Sequence, residues 1–151
     1  MRWVRSLAAG IAALVIAAGC AGTGPGRDPG TDARQRVAIV PSLRDGVLTE
    51  MRAMLGSVSG VVQGLGVDDL AAAEQAARAS GMAAAVDVDP RLRQALPPEF
   101  LQLGMQTHRS FDALADRIRA GAPRGEILQA LAGLMANCVR CHATWRLDEA
   151  R

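Results

Sequence analysis

The sequence predicts an all-α protein arranged as an antiparallel four-helix bundle. Four segments carry apolar residues at spacings of three and four, and none shows sustained period-two alternation. Between them, Gly and Pro stand where helix ends and first turns accept them. At 151 residues the chain suits one domain at most. Aromatic residues are 3% of the total, so the core is thin in the rings that usually fill one and leaves room for another group.

The elements follow in order. Pro41-Ser42 followed by Asp45 resembles a capping box and starts the first helix. Its stripe is Val47, Met51, Met54, Val58, Val61 and Leu65, and Gly64 and Gly66 end it. Asp68 is the expected cap of a second, Ala-rich and closely packing helix through Leu70, Ala73 and Ala77 to Ser80, with Gly81 as its left-handed C-terminal residue. Residues 82 to 96 read as a crossover with one helical turn. Pro97-Pro98-Glu99 opens the third helix, whose stripe is Phe100, Leu103, Thr107, Phe111, Leu114 and Ile118. Gly121 and Pro123 break the chain again. The fourth helix then carries Ile127, Leu131, Leu134, Cys138, Cys141 and Trp145 on one side.

The first twenty residues read as an export signal. Arg2 and Arg5 are a short positive region, and the apolar run at residues 7 to 18 is shorter than the ~20 residues a spanning helix needs. Ala17-Ala18-Gly19-Cys20 resembles a bacterial lipobox, with Cys20 as the lipidated residue; the alternative is ordinary cleavage after Ala21. Either route takes the mature protein to the periplasm, and the lipid would tether it to a membrane. Residues 21 to 40 are assigned to a tether because residues 21 to 34, with Gly22, Gly24, Pro25, Gly26, Pro29 and Gly30, offer little apolar surface. The globular domain is expected over residues 41 to 151. Removing Arg2 and Arg5 takes two of 17 basic side chains and leaves a chain balanced against its 15 acidic ones, which excludes nucleic acid as a partner.

One motif carries chemistry. Cys138-Val139-Arg140-Cys141-His142 is C-x-x-C-H, the attachment sequence of a c-type haem. Two thiols on one helical turn reach two vinyl groups, and the adjacent imidazole is aimed at the iron. A structural zinc site needs four ligands, and beyond these three the mature domain offers only His108 as a further soft donor. A redox dithiol would put the pair at the start of a helix after a strand, whereas here it falls near the end of one. One covalently attached haem c is therefore the expected cofactor.

Nine residues follow His142, so a sixth iron ligand would come from upstream. With a Met-bearing first helix, this arrangement resembles the class II cytochromes c, the cytochrome c prime family and its low-spin relatives, over residues 41 to 147. The tail His142-Ala143-Thr144-Trp145-Arg146 is similar to the end of the last helix in these proteins and in the soluble four-helix cytochromes b. The resemblance implies Trp145 against the porphyrin edge and Arg146 near a propionate. His108 with Phe111-Asp112 is similar to a pattern in the four-helix cytochromes b, which implies Phe111 packed on the porphyrin; ordinary core is the plain alternative.

Met51 and Met54 are both on the inward stripe, and a thioether is a known partner of haem His that raises the reduction potential. Only one can bind. The short connection to the second helix resembles the four-helix cytochromes b and favours Met54, the preferred ligand; a longer first helix, as in the low-spin class II proteins, favours Met51. Both can also be gap-filling core residues. His108 sits beside its stripe and is expected to be a partly exposed, hydrogen-bonding residue.

The leading expectation is a monohaem cytochrome carrying one electron between redox partner proteins of the bacterial envelope. A five-coordinate protein binding NO or CO is the alternative, and a tethered subunit of a membrane oxidoreductase a third. A homodimer is compatible with all three. No constellation of nucleophile, base and oxyanion donors is visible, so the chain is not expected to be an enzyme.

Overall fold

The computed structural model describes residues 32 to 86 and 89 to 150. The export signal and Cys20 lie outside the described residues. Of the described residues 74% are helical, in five helices, with one short strand pair. Among them no helix is long and apolar enough to cross a membrane.

Helix α1 spans Pro41–Gly66. Val40 is its N-cap and makes no side-chain capping bond, while its carbonyl accepts from the amides of Leu43 and Arg44 at 3.1 and 3.0 Å. The expected Ser42–Asp45 box is therefore not used. Pro41 occupies the first turn, where its missing amide costs nothing, and puts Ser42 inside the helix. At the other end Val67 donates to Gln63 and Gly64 carbonyls, and Asp68 takes φ +59° to reverse the chain. A short polar side chain tolerates that conformation. The cap of α2, Leu70–Arg78, consequently moves one residue on, to Asp69, which accepts from the Ala72 amide at 2.9 Å.

Close packing of α2 on α1 is as the composition predicts. A Cβ on Gly64 would lie 2.7 Å from the Ala73 amide nitrogen, and one on Gly60 2.7 Å from Ala76 Cβ. α2 stops two residues before the expected Ser80. Gly81 has φ −70°, so it is not the left-handed residue expected. Its smallness has another use: a Cβ there would sit inside contact distance of the Asp112 carboxylate, which accepts from the Met82 amide at 2.8 Å. The crossover holds a 3-10 turn, Met82–Ala85, and a short helix α3, Leu92–Ala95. Helices α4, Pro98–Arg119, and α5, Arg124–Thr144, begin behind Pro97 and Pro123 as expected, joined through Gly121 at φ +71°.

The strand pair corrects two expectations. β1, Gln35–Ile39, runs parallel to β2, Trp145–Glu149, with Gln35 opposite Trp145 and Ile39 opposite Glu149. Residues 35 to 39 are thus folded structure, not tether, and Val37 and Ile39 point into the core with 3% and 1% exposure. Trp145 is the first strand residue and does not extend the α5 stripe. Its indole Nε1 donates to Gln35 Oε1 at 2.9 Å, and an aromatic side chain suits a strand better than a helix terminus.

Two apolar clusters result. The first joins Val61 and Leu65 of α1, Ala73 and Ala77 of α2, Phe111, Leu114 and Ile118 of α4, and Ile127, Leu131 and Leu134 of α5. The second joins Val37 and Ile39 of β1 to Leu43 and Val47 of α1, Leu92 and Leu96 by α3, and Phe100 of α4. The single stripe of α1 therefore serves two neighbourhoods: Met51 borders the second cluster, Met54 and Val58 the first.

Candidate functional site

Helix α5 positions the motif by its period. Ile127, Leu131 and Leu134 bury one side of the helix, and Cys138 and Cys141 continue that side over its last two turns. Both thiols are free and half-buried. Burial pushes the pKa of each above the usual thiol range, and for Cys141 the neighbouring Cys138 adds to the rise. At neutral pH both are therefore thiols. A reactive dithiol needs the opposite shift, and the C-terminal end of a helix, with its negative dipole, does not supply it.

Cys141 and His142 open onto a cleft of about 260 Å³ between the end of α5, α1, Phe100 and the strand pair. Met51, Trp145 and Arg146 line it, together with Arg34 and Arg44. His142 is exposed, and its carbonyl accepts from Arg34 Nη1 at 3.3 Å. Trp145 meets Phe100 edge to face, with ring centroids 5.5 Å apart at 64°. Arg146 Nε stands 3.8 Å from Asp148 Oδ2. Arg44 Nε is buried with no hydrogen-bond partner among the described residues. Three guanidiniums around an apolar, ring-lined cleft suit an anionic group at its mouth.

The structure therefore brings Cys141, His142, Met51, Trp145 and Arg146 together, with Cys138 one turn earlier on the same face. Phe111, Met54 and His108 are elsewhere. Phe111 is fully buried in the first cluster. Met54 packs against that cluster and lines a separate cavity of about 410 Å³ with His108. His108 is 3% exposed, which corrects the expected partial exposure. Its hydrogen bonding is as expected: Nδ1 lies 2.9 Å from the Ser80 carbonyl oxygen and Nε2 2.8 Å from Glu50 Oε1. A carbonyl can only accept, so Nδ1 carries a hydrogen. Nε2 also faces an acceptor, so a further proton is held between it and Glu50. The Glu50 carboxylate, followed by the Ser80 carbonyl, raises the His108 pKa against the opposing effect of burial.

Arg34, Arg44 and Phe100 are cleft residues that the sequence reading does not assign to the site. Arg44, Leu48 and Met51 stand four and three apart, a second helical face beside the Leu43–Val47 stripe, and that spacing is the signal for Arg44. Arg34 has no comparable signal, since strand β1 is what carries it there.

The site fits a porphyrin by its donors. Two thiols on one face, an imidazole at the next position, an edge-on aromatic pair and an orphaned guanidinium nitrogen are side-chain types that such a group would use for attachment, iron ligation, ring packing and carboxylate pairing. At about 260 Å³ the cleft accommodates the edge of a macrocycle rather than a whole one. Among the described residues no three His, Cys, Asp or Glu gather as a metal-ion site. No protein-family model, curated protein or solved structure matches the chain.

Proposed function

We propose that the chain is an exported, monohaem c-type cytochrome of the bacterial envelope, similar to class II cytochromes c, that passes single electrons between partner proteins. In this reading α1, α2, α4 and α5 are the antiparallel four-helix bundle, and Cys20 carries the lipid that tethers it to a membrane. The observation that carries the proposal is the C-x-x-C-H run on the last two turns of α5, with both thiols neutral, free and facing one side.

Cys138 and Cys141 would hold the haem through thioether bonds and His142 would be the axial ligand on iron. When bound, the group supplies reversible one-electron exchange. The chain's own residues do the rest. Phe100 and Trp145 would keep water from one side of the cleft, and Arg34, Arg44 and Arg146 would hold the carboxylates of the group at its mouth. The cleft that Met51 shares with Cys141 and His142 supports Met51 over Met54 as the second axial ligand.

The test is a potentiometric titration of the full chain produced in a host with c-type haem maturation, followed in the visible spectrum. A reversible one-electron couple is expected. A haem spectrum that does not titrate reversibly would overturn the carrier assignment.

A further inference from the structure

A third cavity, of about 440 Å³, lies between α1, α3 and α4, and no residue of α5 or of either strand lines it. Its walls are apolar, with Val47, Leu96, Phe100 and Met105 among them, and it is of the size that holds a small organic molecule. Glu50 and His108, paired at 2.8 Å, are polar groups on its wall, and the exposed Arg93 and Gln102 line it as well. Glu50 accepts from His108 through Oε1; among the described residues no donor is paired with its other oxygen.

Gly104 gives a way to test the cavity by filling it. Gly104 stands inside α4, where a glycine weakens a helix, yet no neighbour requires it: a Cβ there would meet nothing within 4 Å. Several other helical glycines are equally open, Gly133 among them, but Gly104 is the one that lines this cavity, so a side chain added there enters its space.

We infer that this cavity binds a flat apolar molecule bearing a hydroxyl group, of the phenol or quinol class, with the hydroxyl donating to Glu50 and the ring lying against Phe100 and Met105. An aromatic ring gains from edge contact with Phe100 and from the thioether of Met105. A hydroxyl can donate to the second oxygen of the partly buried carboxylate, which an ether of the same shape cannot do while it displaces water from that oxygen. The inference uses no residue of the C-x-x-C-H motif and shares only Phe100 with the cleft beside it.

The probes are 1-naphthol and 1-methoxynaphthalene, titrated into the full chain with and without its haem. Binding is followed by calorimetry and by the amide resonances of Gly104 and Met105. The naphthol should bind about tenfold tighter than the ether or better, shift both resonances, and do so in either haem state. Gly104→Leu fills the floor without meeting a neighbour at Cβ; it should weaken naphthol binding at least tenfold while the fold, followed by circular dichroism, is retained. Equal affinity for the two probes, unchanged binding by a folded Gly104→Leu, or loss of binding on haem loading would each overturn the inference. In the last case the cavity belongs to the prosthetic group.

Discussion

Replacing Gly64 by Ala tests how α1 and α2 meet. The added Cβ would lie 2.7 Å from the Ala73 nitrogen, 2.8 Å from the Asp69 carbonyl oxygen and 2.9 Å from Ala73 Cβ. Two of these are backbone atoms at the start of α2, held by the Asp69 cap, so no side chain can swing away. Ordinary contact begins near 3.4 Å, which requires the helices to separate by about 0.7 Å. Overpacking of this kind costs about 1 to 3 kcal/mol, and a backbone clash belongs at the upper end. Ala for Gly inside a helix returns about 1 kcal/mol. The net expectation is a loss of about 1 to 2 kcal/mol, or a Tm lower by about 4 to 8 °C for a domain of this size. Gly133, exposed on α5 with nothing within 4 Å of its Cβ, is the control. Gly133→Ala should stabilise by up to about 1 kcal/mol. Urea unfolding followed by circular dichroism measures both. If Gly64→Ala stabilises as much as Gly133→Ala, α1 and α2 do not pack as described.

Stability should also depend on pH through His108. Its pKa is raised in the folded state, so its contribution is full below the unfolded value of about 6.5 and is lost as pH rises through the folded pKa. Urea midpoints of the wild type should therefore fall on going from about pH 6 upward, and Glu50→Gln should flatten that fall; parallel profiles would contradict the His108–Glu50 pairing. For the haem-loaded protein, Met51→Ala should convert the spectrum to high-spin and speed CO binding, because a protein ligand no longer has to leave. Met54→Ala should leave the spectrum unchanged and cost stability toward the low end of about 2 to 5 kcal/mol, since Met54 is only partly buried. A native spectrum that is already high-spin and takes up NO or CO quickly would favour the gas-binding alternative.

The helices were legible because their stripes repeat over many turns. On α4, Phe100, Leu103, Thr107, Phe111, Leu114 and Ile118 are all buried, as their spacing predicts. The C-x-x-C-H run was legible because it is local: five consecutive residues fix its geometry once they are helical. The strand pair was not. β1 has five residues, too few for alternation to stand out, and its partner lies 110 positions away. Local composition carries no trace of that pairing, so Gln35–Ile39 read as tether and Trp145 as helix. The sequence does not separate Met51 from Met54 for a related reason. Both sit on one stripe, and only the division of that stripe between two clusters separates them. His108 looked exposed because it stands off the α4 stripe; Ser80 and Glu50, which bury it, come from the start of the crossover and from α1.

The central claim is that Cys138 and Cys141 hold a haem. Its most direct test is the intact mass of the denatured, iodoacetamide-treated chain from a host with c-type haem maturation. Thioether bonds survive denaturation, so the account predicts a polypeptide heavier by one haem, with neither Cys138 nor Cys141 alkylated. A chain of bare polypeptide mass that takes up the alkylating agent at both cysteines would contradict it.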